Sequence, residues 1–226
     1  LTTRALHRAY AALVRLDVRS ASLAMPPRVV WDRPRLGRPV LEDLDGDGTP
    51  EVAAWDGRDI RAVSAQTGQD RWSVRDAAGP LGAVAFSDLV PLRRAGRMGR
   101  DLAYLRIIPG RGAGLVGLQG DDGSQRWAAF ERIPHSGYGH LAAADLFNND
   151  GTDDVVLALN NILLLDGRTG TVAREGGYAP YGVPIVAPFR TSTPDIFLGG
   201  MVPDQVFAPD LTLLGRAPAP GVSAMW

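Results

Sequence analysis

Nine consecutive residues, Asp43-Leu44-Asp45-Gly46-Asp47-Gly48-Thr49-Pro50-Glu51, place oxygen-bearing groups at alternate positions. A tight loop turns every second side chain the same way, and a hard cation such as Ca²⁺ takes about six to eight oxygens at short range. Asp43, Asp45 and Asp47 offer side-chain oxygens, Thr49 its carbonyl and Glu51 a closing carboxylate. Gly48 permits the sharp turn that bends such a loop back on an ion. Without a counter-ion, carboxylates crowded this closely repel one another; the alternative is a solvated Asp/Gly turn that binds nothing.

The first positions have the spacing of an EF-hand, but an EF-hand closes on a bidentate Glu at its twelfth position and lies between helices. The twelfth position here is Ala54, and the flanks Val40-Leu41 and Val52-Ala53-Ala54-Trp55 read as short strands. An acid at the ninth position between strands resembles the FG-GAP/VCBS repeats of integrin-like β-propellers. The similarity runs from about residue 10 to the end of the chain. It implies bound Ca²⁺ and an extracytoplasmic setting (extracellular, periplasmic or cell surface).

A second acidic stretch is Asp145-Leu146-Phe147-Asn148-Asn149-Asp150-Gly151-Thr152-Asp153-Asp154. Aligned with the first, it makes Asp145 the first ligand and Asp154 the last. It is one residue longer, with Phe147 or a neighbour as the insertion. Asn148, Asp150, the Thr152 carbonyl and Asp154 keep their offsets from Gly151. Between the two stretches, Asp88 is followed by Arg93, Arg94, Arg97 and Arg100 before Asp101 is reached. No cation is expected there; ion pairs from Asp88 or Asp101 to arginine are the first reading, a protruding partner-binding loop the second. A fourth stretch, from Pro188 to Asp195, keeps only the last acid and reads as a structural turn.

These stretches recur because the chain repeats. Gly37, Gly82, Gly139 and Gly182 each stand seven residues before Leu44, Leu89, Leu146 and Phe189, at spacings of 45, 57 and 43 residues. A second anchor follows in each unit. Ala62 to Trp72, with Thr67-Gly68 inside it, matches Gly117 to Trp127 with Asp122-Gly123, and Leu164 onward with Thr169-Gly170. Arg15 to Ala24 is a worn copy and the segment from Pro209 a weaker one. Strand, Gly-bearing hairpin, strand is the natural reading. In the first unit the four strands are expected at about 38–43, 51–55, 60–65 and 70–75.

Units of this length with four strands are the blades of an all-β propeller, whose neighbours bury each other's faces. The units are expected at about 37–81, 82–138, 139–181 and 182–220, with 1–36 the end of a preceding blade and 221–226 the first strand of the next. That is four full repeats plus complementary parts of a fifth. The chain is one propeller domain or an excerpt of a longer one; closure of the ring would remove exposed sheet edges. Leu6, Tyr10, Leu13 and Val14 have helical spacing, so a short helix is the competing reading of that segment.

The Ala62–Trp72 segment also resembles the tryptophan-docking turn of quinoprotein propellers, with Ser64 where that pattern has Asp. The resemblance implies that the motif ties blades together and holds no cofactor. Trp55, Trp72 and Trp127 are expected in the core between blades.

Composition narrows the function. Of 226 residues, 45% are hydrophobic and 22% charged, enough for a sizeable core, and Gly 27 with Pro 17 suits many short strands. The net charge of −1 steers the chain toward neither nucleic acid nor an anionic membrane. All 24 basic residues are arginine, so lysine chemistry is excluded; Cys 0 excludes disulfides and thiolate metal sites. No apolar run reaches the roughly 18 residues of a membrane span, although a parent protein tethered to a membrane fits the reading. No signal peptide is visible, but residue 1 is Leu, consistent with processing or trimming. Asn148, Asn149, Asn160 and Asn161 form no glycosylation sequon.

Enzyme readings are poorer. His7, His135 and His140 lack metal-ligand spacing. The stretch Glu131 to His140, with Ser136 and Tyr138, is the one candidate pocket, between two blades; spacing alone assembles no triad. No Gly/Lys phosphate loop and no dinucleotide fingerprint occurs. The resemblance to FG-GAP/VCBS propellers implies a calcium-stabilised extracytoplasmic module that binds or scaffolds a protein or glycan without catalysis, such as an accessory subunit of an envelope complex. The alternative is a fragment of a quinoprotein-like or polysaccharide-active propeller enzyme.

Overall fold

The computed structural model describes residues 31–32, 39–56, 59–75, 86–108, 112–133, 139–178, 182–188, 193–199 and 204–216. The segment with helical spacing (6–14), the worn repeat copy (15–24), the final strand (221–226) and His135, Ser136 and Tyr138 lie outside these residues. Every regular element described is a strand, and the strands form four sheets of four.

The first sheet holds β1 (Val40–Glu42), β2 (Glu51–Trp55), β3 (Asp59–Ser64) and β4 (Asp70–Arg75). The second holds β5 (Phe86–Arg93), β6 (Arg100–Ile108), β7 (Gly112–Leu118) and β8 (Gln125–Ile133). The third holds β9 (His140–Ala144), β10 (Asp154–Ala158), β11 (Asn161–Leu165) and β12 (Val172–Tyr178). The fourth holds β13 (Val183–Ala187), β14 (Asp195–Gly199), β15 (Gln205–Phe207) and β16 (Leu213–Arg216). Each sheet is an antiparallel meander in chain order, and the first strands β1, β5, β9 and β13 neighbour one another in succession. This is the blade arrangement of a β-propeller.

Side-chain alternation explains how blades stack. In β10 all five residues are buried. Val155 and Leu157 face the second blade, where they join Val90, Leu92, Ala103, Leu105 and Leu115. Val156 and Ala158 face the fourth, with Ile196, Leu198 and Phe207. A strand covered on both faces needs apolar residues at every position, hence the unbroken Val155-Val156-Leu157-Ala158 run. The first and second blades close on Ala53, Ile60 and Ala62 against Leu102, Tyr104, Val116 and Leu118.

The outer hairpins repeat in detail. The pairing of third and fourth strands shifts register at the same place in all four blades, next to the turn: Ala62/Val63, Gly117/Leu118, Leu164/Leu165 and Val206/Phe207. The turns that follow expose a backbone carbonyl to the neighbouring blade. Trp72 of the first blade donates its indole N–H to Gly120 O of the second at 2.7 Å. Trp127 of the second donates to Gly167 O of the third at 2.9 Å, and Trp31 donates to Ala65 O of the first at 2.9 Å. Each indole lies on a left-handed glycine, Gly123, Gly170 and Gly68; a Cβ there would come within 2.6, 2.5 and 2.9 Å of the ring. Glycine is required twice over, by the backbone angle and by the indole.

In the fourth blade the same turn position is Leu211, at φ 66°. The residue aligned with Trp72 and Trp127 is Arg174, which is exposed. Register agrees: Arg174 pairs with Leu164 as Trp72 pairs with Ala62 and Trp127 with Gly117. With no indole to seat, the bulky Leu164 and Leu211 fill the interface, joining the apolar cluster between the third and fourth blades.

Candidate cation sites

The two acidic loops join the first and second strands of the first and third blades, and they fold alike. In the first, Gly46 N–H donates to Asp43 Oδ1 at 2.7 Å and Gly48 N–H to Asp43 Oδ2 at 2.9 Å. Asp47 N–H donates to Asp45 Oδ1 at 3.1 Å, and Thr49 N–H to Asp47 Oδ1 at 2.7 Å. Glu51, at the start of β2, accepts Leu44 N–H on Oε2 at 3.0 Å.

The second loop repeats this web. Gly151 N–H donates to Asp145 Oδ2 at 2.8 Å, Asp150 N–H to Asn148 Oδ1 at 3.2 Å and Thr152 N–H to Asp150 Oδ1 at 2.9 Å. Asp154 accepts Leu146 N–H at 2.9 Å and Phe147 N–H at 2.7 Å on Oδ2. Asp145 thus caps Gly151 as Asp43 caps Gly48, so the extra residue lies between them. Asn149 at φ 53° stands where the first loop has Gly46 at φ 84°, a place asparagine tolerates better than most residues. Half-exposed Phe147 lies under the Arg174 guanidinium, 5.5 Å from its ring centre.

The loops differ in what converges. In the first, carboxylate oxygens of Asp43, Asp45 and Glu51 lie within 4.8 Å of one another. This is the one such group of acids or histidines among the described residues. Asp47 is turned outward, with Arg71 Nη2 3.2 Å from its Oδ2. In the second loop Asn148 stands where the first has Asp45, Asp154 Oδ1 is taken by Gly167 N–H at 3.4 Å, and Arg168 reaches Asp150 at 3.2 Å.

A fit to a hard cation turns on spare lone pairs. Glu51 is 1% exposed, yet its Oε1 accepts no hydrogen bond; among the described residues the nearest cationic atom is Arg71 Nη2 at 3.6 Å. Asp145 Oδ1 is likewise buried without a hydrogen bond. An all-oxygen donor set with an orphaned buried carboxylate oxygen suits Ca²⁺ rather than a nitrogen- or sulfur-seeking metal. Burial pushes the Glu51 carboxyl above its usual range, against the pull of the Leu44 N–H, and Asp45 and Asp47 add to the push. Burial also raises Asp154, against the N–H groups of Leu146, Phe147 and Gly167. Asp150 is held low by the Thr152 N–H.

In the second blade guanidinium groups stand where the other loops place acids. β5 runs on to Arg93 and pairs with β6 up to Arg100, so a hairpin tip replaces the acidic loop. Asp101 corresponds to Glu51 and Asp154, is 3% exposed and accepts Gly120 N–H at 3.3 Å. Arg126 reaches it at 2.5 Å, Arg94 at 3.3 Å and Arg97 at 3.9 Å. The expected arginine pairing of Asp101 is therefore found; the side chain of Asp88 lies outside the described residues. The hairpin also wedges between the two acidic loops. Arg100 N–H donates to Asp43 O at 3.0 Å on one side, and Arg93 N–H to Asp153 Oδ2 at 2.7 Å on the other. In the fourth blade Asp195 is buried at the start of β14; residues 189–192 of the stretch expected to form a turn lie outside the described residues.

Sequence reasoning did not single out Arg71, Arg126 or Trp31. A signal was present for the first two: each immediately precedes a docking tryptophan, Arg71-Trp72 and Arg126-Trp127.

Four meander blades, the first three joined by indoles reaching into the next blade and the last two by an apolar contact, define a β-propeller of repeated units. No protein-family model matches the chain, and no curated protein matches it. Among solved structures that match is the crystal structure of BamB from Moraxella catarrhalis, with 17% sequence identity and a TM-score of 0.49. The match covers 83% of this chain and 55% of that one, so the chain spans about half the length of its structural neighbour.

Proposed function

We propose that the chain is a calcium-stabilised propeller of FG-GAP/VCBS type that acts outside the cytoplasm as a non-enzymatic module binding a protein or glycan. One observation carries the reading: Asp43, Asp45 and Glu51 converge within 4.8 Å, and the buried Glu51 Oε1 has no hydrogen bond. A cation there neutralises the crowded acids and stiffens the loop between the first two strands of its blade. Asp47 and the Thr49 carbonyl complete the set as the loop closes. The second loop, with Asp145, Asn148, Asp150, the Thr152 carbonyl and Asp154, is the weaker site, because Asp154 is already engaged by three N–H groups. Loops of this kind suit the high Ca²⁺ of extracytoplasmic fluids, where weak sites fill. Rigid blades then present a fixed surface to a partner.

Thermal unfolding in EDTA and with excess Ca²⁺, for wild type and Asp45→Ala, tests the reading. Ligand at about 100 times its Kd stabilises the folded state by about 2.7 kcal/mol, a rise of several degrees. That rise is expected in wild type and is lost in Asp45→Ala. An unchanged midpoint in both proteins would remove the cation and leave a metal-free scaffold. Stoichiometric uptake of pyrroloquinoline quinone by the purified protein would instead favour the enzyme reading.

A further inference from the structure

We infer that Arg71 is a built-in competitor for the first acidic loop, a tethered cation that stands at the edge of the acid cluster and must withdraw when a metal ion enters. The inference rests on the cation reading above. Nη2 of Arg71 lies 3.2 Å from Asp47 Oδ2, 3.6 Å from Glu51 Oε1 and 4.0 Å from Asp45 Oδ2. A single guanidinium nitrogen thus reaches three of the five residues assigned to the ion. It hydrogen-bonds the outer one, Asp47, and stops short of the buried one. Its side chain is 41% exposed, so it can leave without uncovering core.

The repeat supplies the comparison. Arg126 holds the position of Arg71 one blade later, before its own docking tryptophan, and there it closes fully on Asp101, at 2.5 Å. In the third blade the position is Ala173, and Arg168 from the turn touches Asp150. The three blades therefore show one position in three states. Arginine takes the place of a metal in the second blade, stands at its edge in the first and is absent in the third. A guanidinium and a divalent ion cannot share the same oxygens, because like charges at this range repel.

Calorimetric titration of Ca²⁺ into wild type, Arg71→Gln and Arg71→Lys tests this, with Asp45→Ala identifying heat from the first loop. Removing one competing charge at about 4 Å is expected to tighten binding at that loop roughly tenfold in Arg71→Gln. Arg71→Lys, which keeps the charge, is expected to stay near wild type. In EDTA, Arg71→Gln is expected to melt below wild type, and with saturating Ca²⁺ to match or exceed it; an arginine that merely braces the fold would lower both. Unchanged or weaker binding in Arg71→Gln, with wild-type binding lost in Asp45→Ala, would overturn the inference and leave the site standing. Equal tightening in both arginine variants would overturn it too, since charge would not be the cause. No Ca²⁺ binding by wild type or Arg71→Gln would remove both the site and its competitor.

Discussion

The indole nitrogen of Trp72 lies 2.7 Å from the carbonyl oxygen of Gly120, forty-eight residues away and one blade further on. The contact satisfies a donor that burial would otherwise leave unpaired, and the ring covers Gly123 on the same turn. Trp72→Phe keeps most of the apolar area but orphans Gly120 O, and is expected to cost about 1–3 kcal/mol. Trp72→Ala empties the site and is expected to cost about 3–5 kcal/mol. Denaturant unfolding of both variants checks the order; no loss in Trp72→Phe would mean that packing alone holds the blades.

Glycine at the docking turns answers to the indole above it. Gly123→Ala places a methyl about where the Trp72 ring already sits, in a backbone conformation alanine avoids, and is expected to be destabilising. Leu211 reverses the logic. It holds the same left-handed position with no indole above it and is 8% exposed. Leu211→Gly relieves the backbone but removes buried side chain, and is expected to lower stability by about 1–3 kcal/mol. A stabilised Leu211→Gly variant in a thermal melt would show that backbone strain outweighs burial there.

Asp101 is held by three arginines and needs no ion. Arg126→Ala leaves a buried carboxylate with its two longer pairs, and is expected to cost about 1–3 kcal/mol. Added Ca²⁺ is not expected to restore the loss, in contrast to the first loop. Melts of Arg126→Ala with and without Ca²⁺ decide this, and full recovery with Ca²⁺ would make the second blade a third cation site.

Asp122, in the turn beneath Trp72, is held below its usual range chiefly by the Ser124 N–H, at 2.8 Å. A carboxyl whose folded value is depressed contributes stability that is present above its unfolded value, near 3.8. That contribution is lost as pH falls through the lower folded value. Below pH 3.8 wild type is therefore expected to lose stability that Asp122→Asn does not lose. Denaturant midpoints of the two proteins, followed down from pH 5, give the comparison; parallel curves would show that the turn bond does not favour the charged form.

Much of the architecture was legible in the chain because repeats write the same physics several times. Blade one was expected at 38–43, 51–55, 60–65 and 70–75, and its strands run Val40–Glu42, Glu51–Trp55, Asp59–Ser64 and Asp70–Arg75. Alternating oxygens and glycines marked both acidic loops, since local turns are fixed by neighbours in sequence. Thr67-Gly68, Asp122-Gly123 and Thr169-Gly170 marked the outer hairpins for the same reason.

Sequence by itself determined the strand count per unit, the turns and the order of acids along each loop, all of which depend on residues close in the chain. Tertiary structure alone decided which charges meet. Asp47 and Asp45 have the same spacing pattern, yet Asp45 joins Asp43 and Glu51 while Asp47 faces Arg71, twenty-four residues on. Arg71 and Arg126 share a repeat position, yet one stops 3.6 Å from its acid and the other closes to 2.5 Å. Long side chains choose partners by the packing of whole strands and by the burial of the acid they approach. Neither quantity is carried by any stretch of sequence shorter than the blade itself.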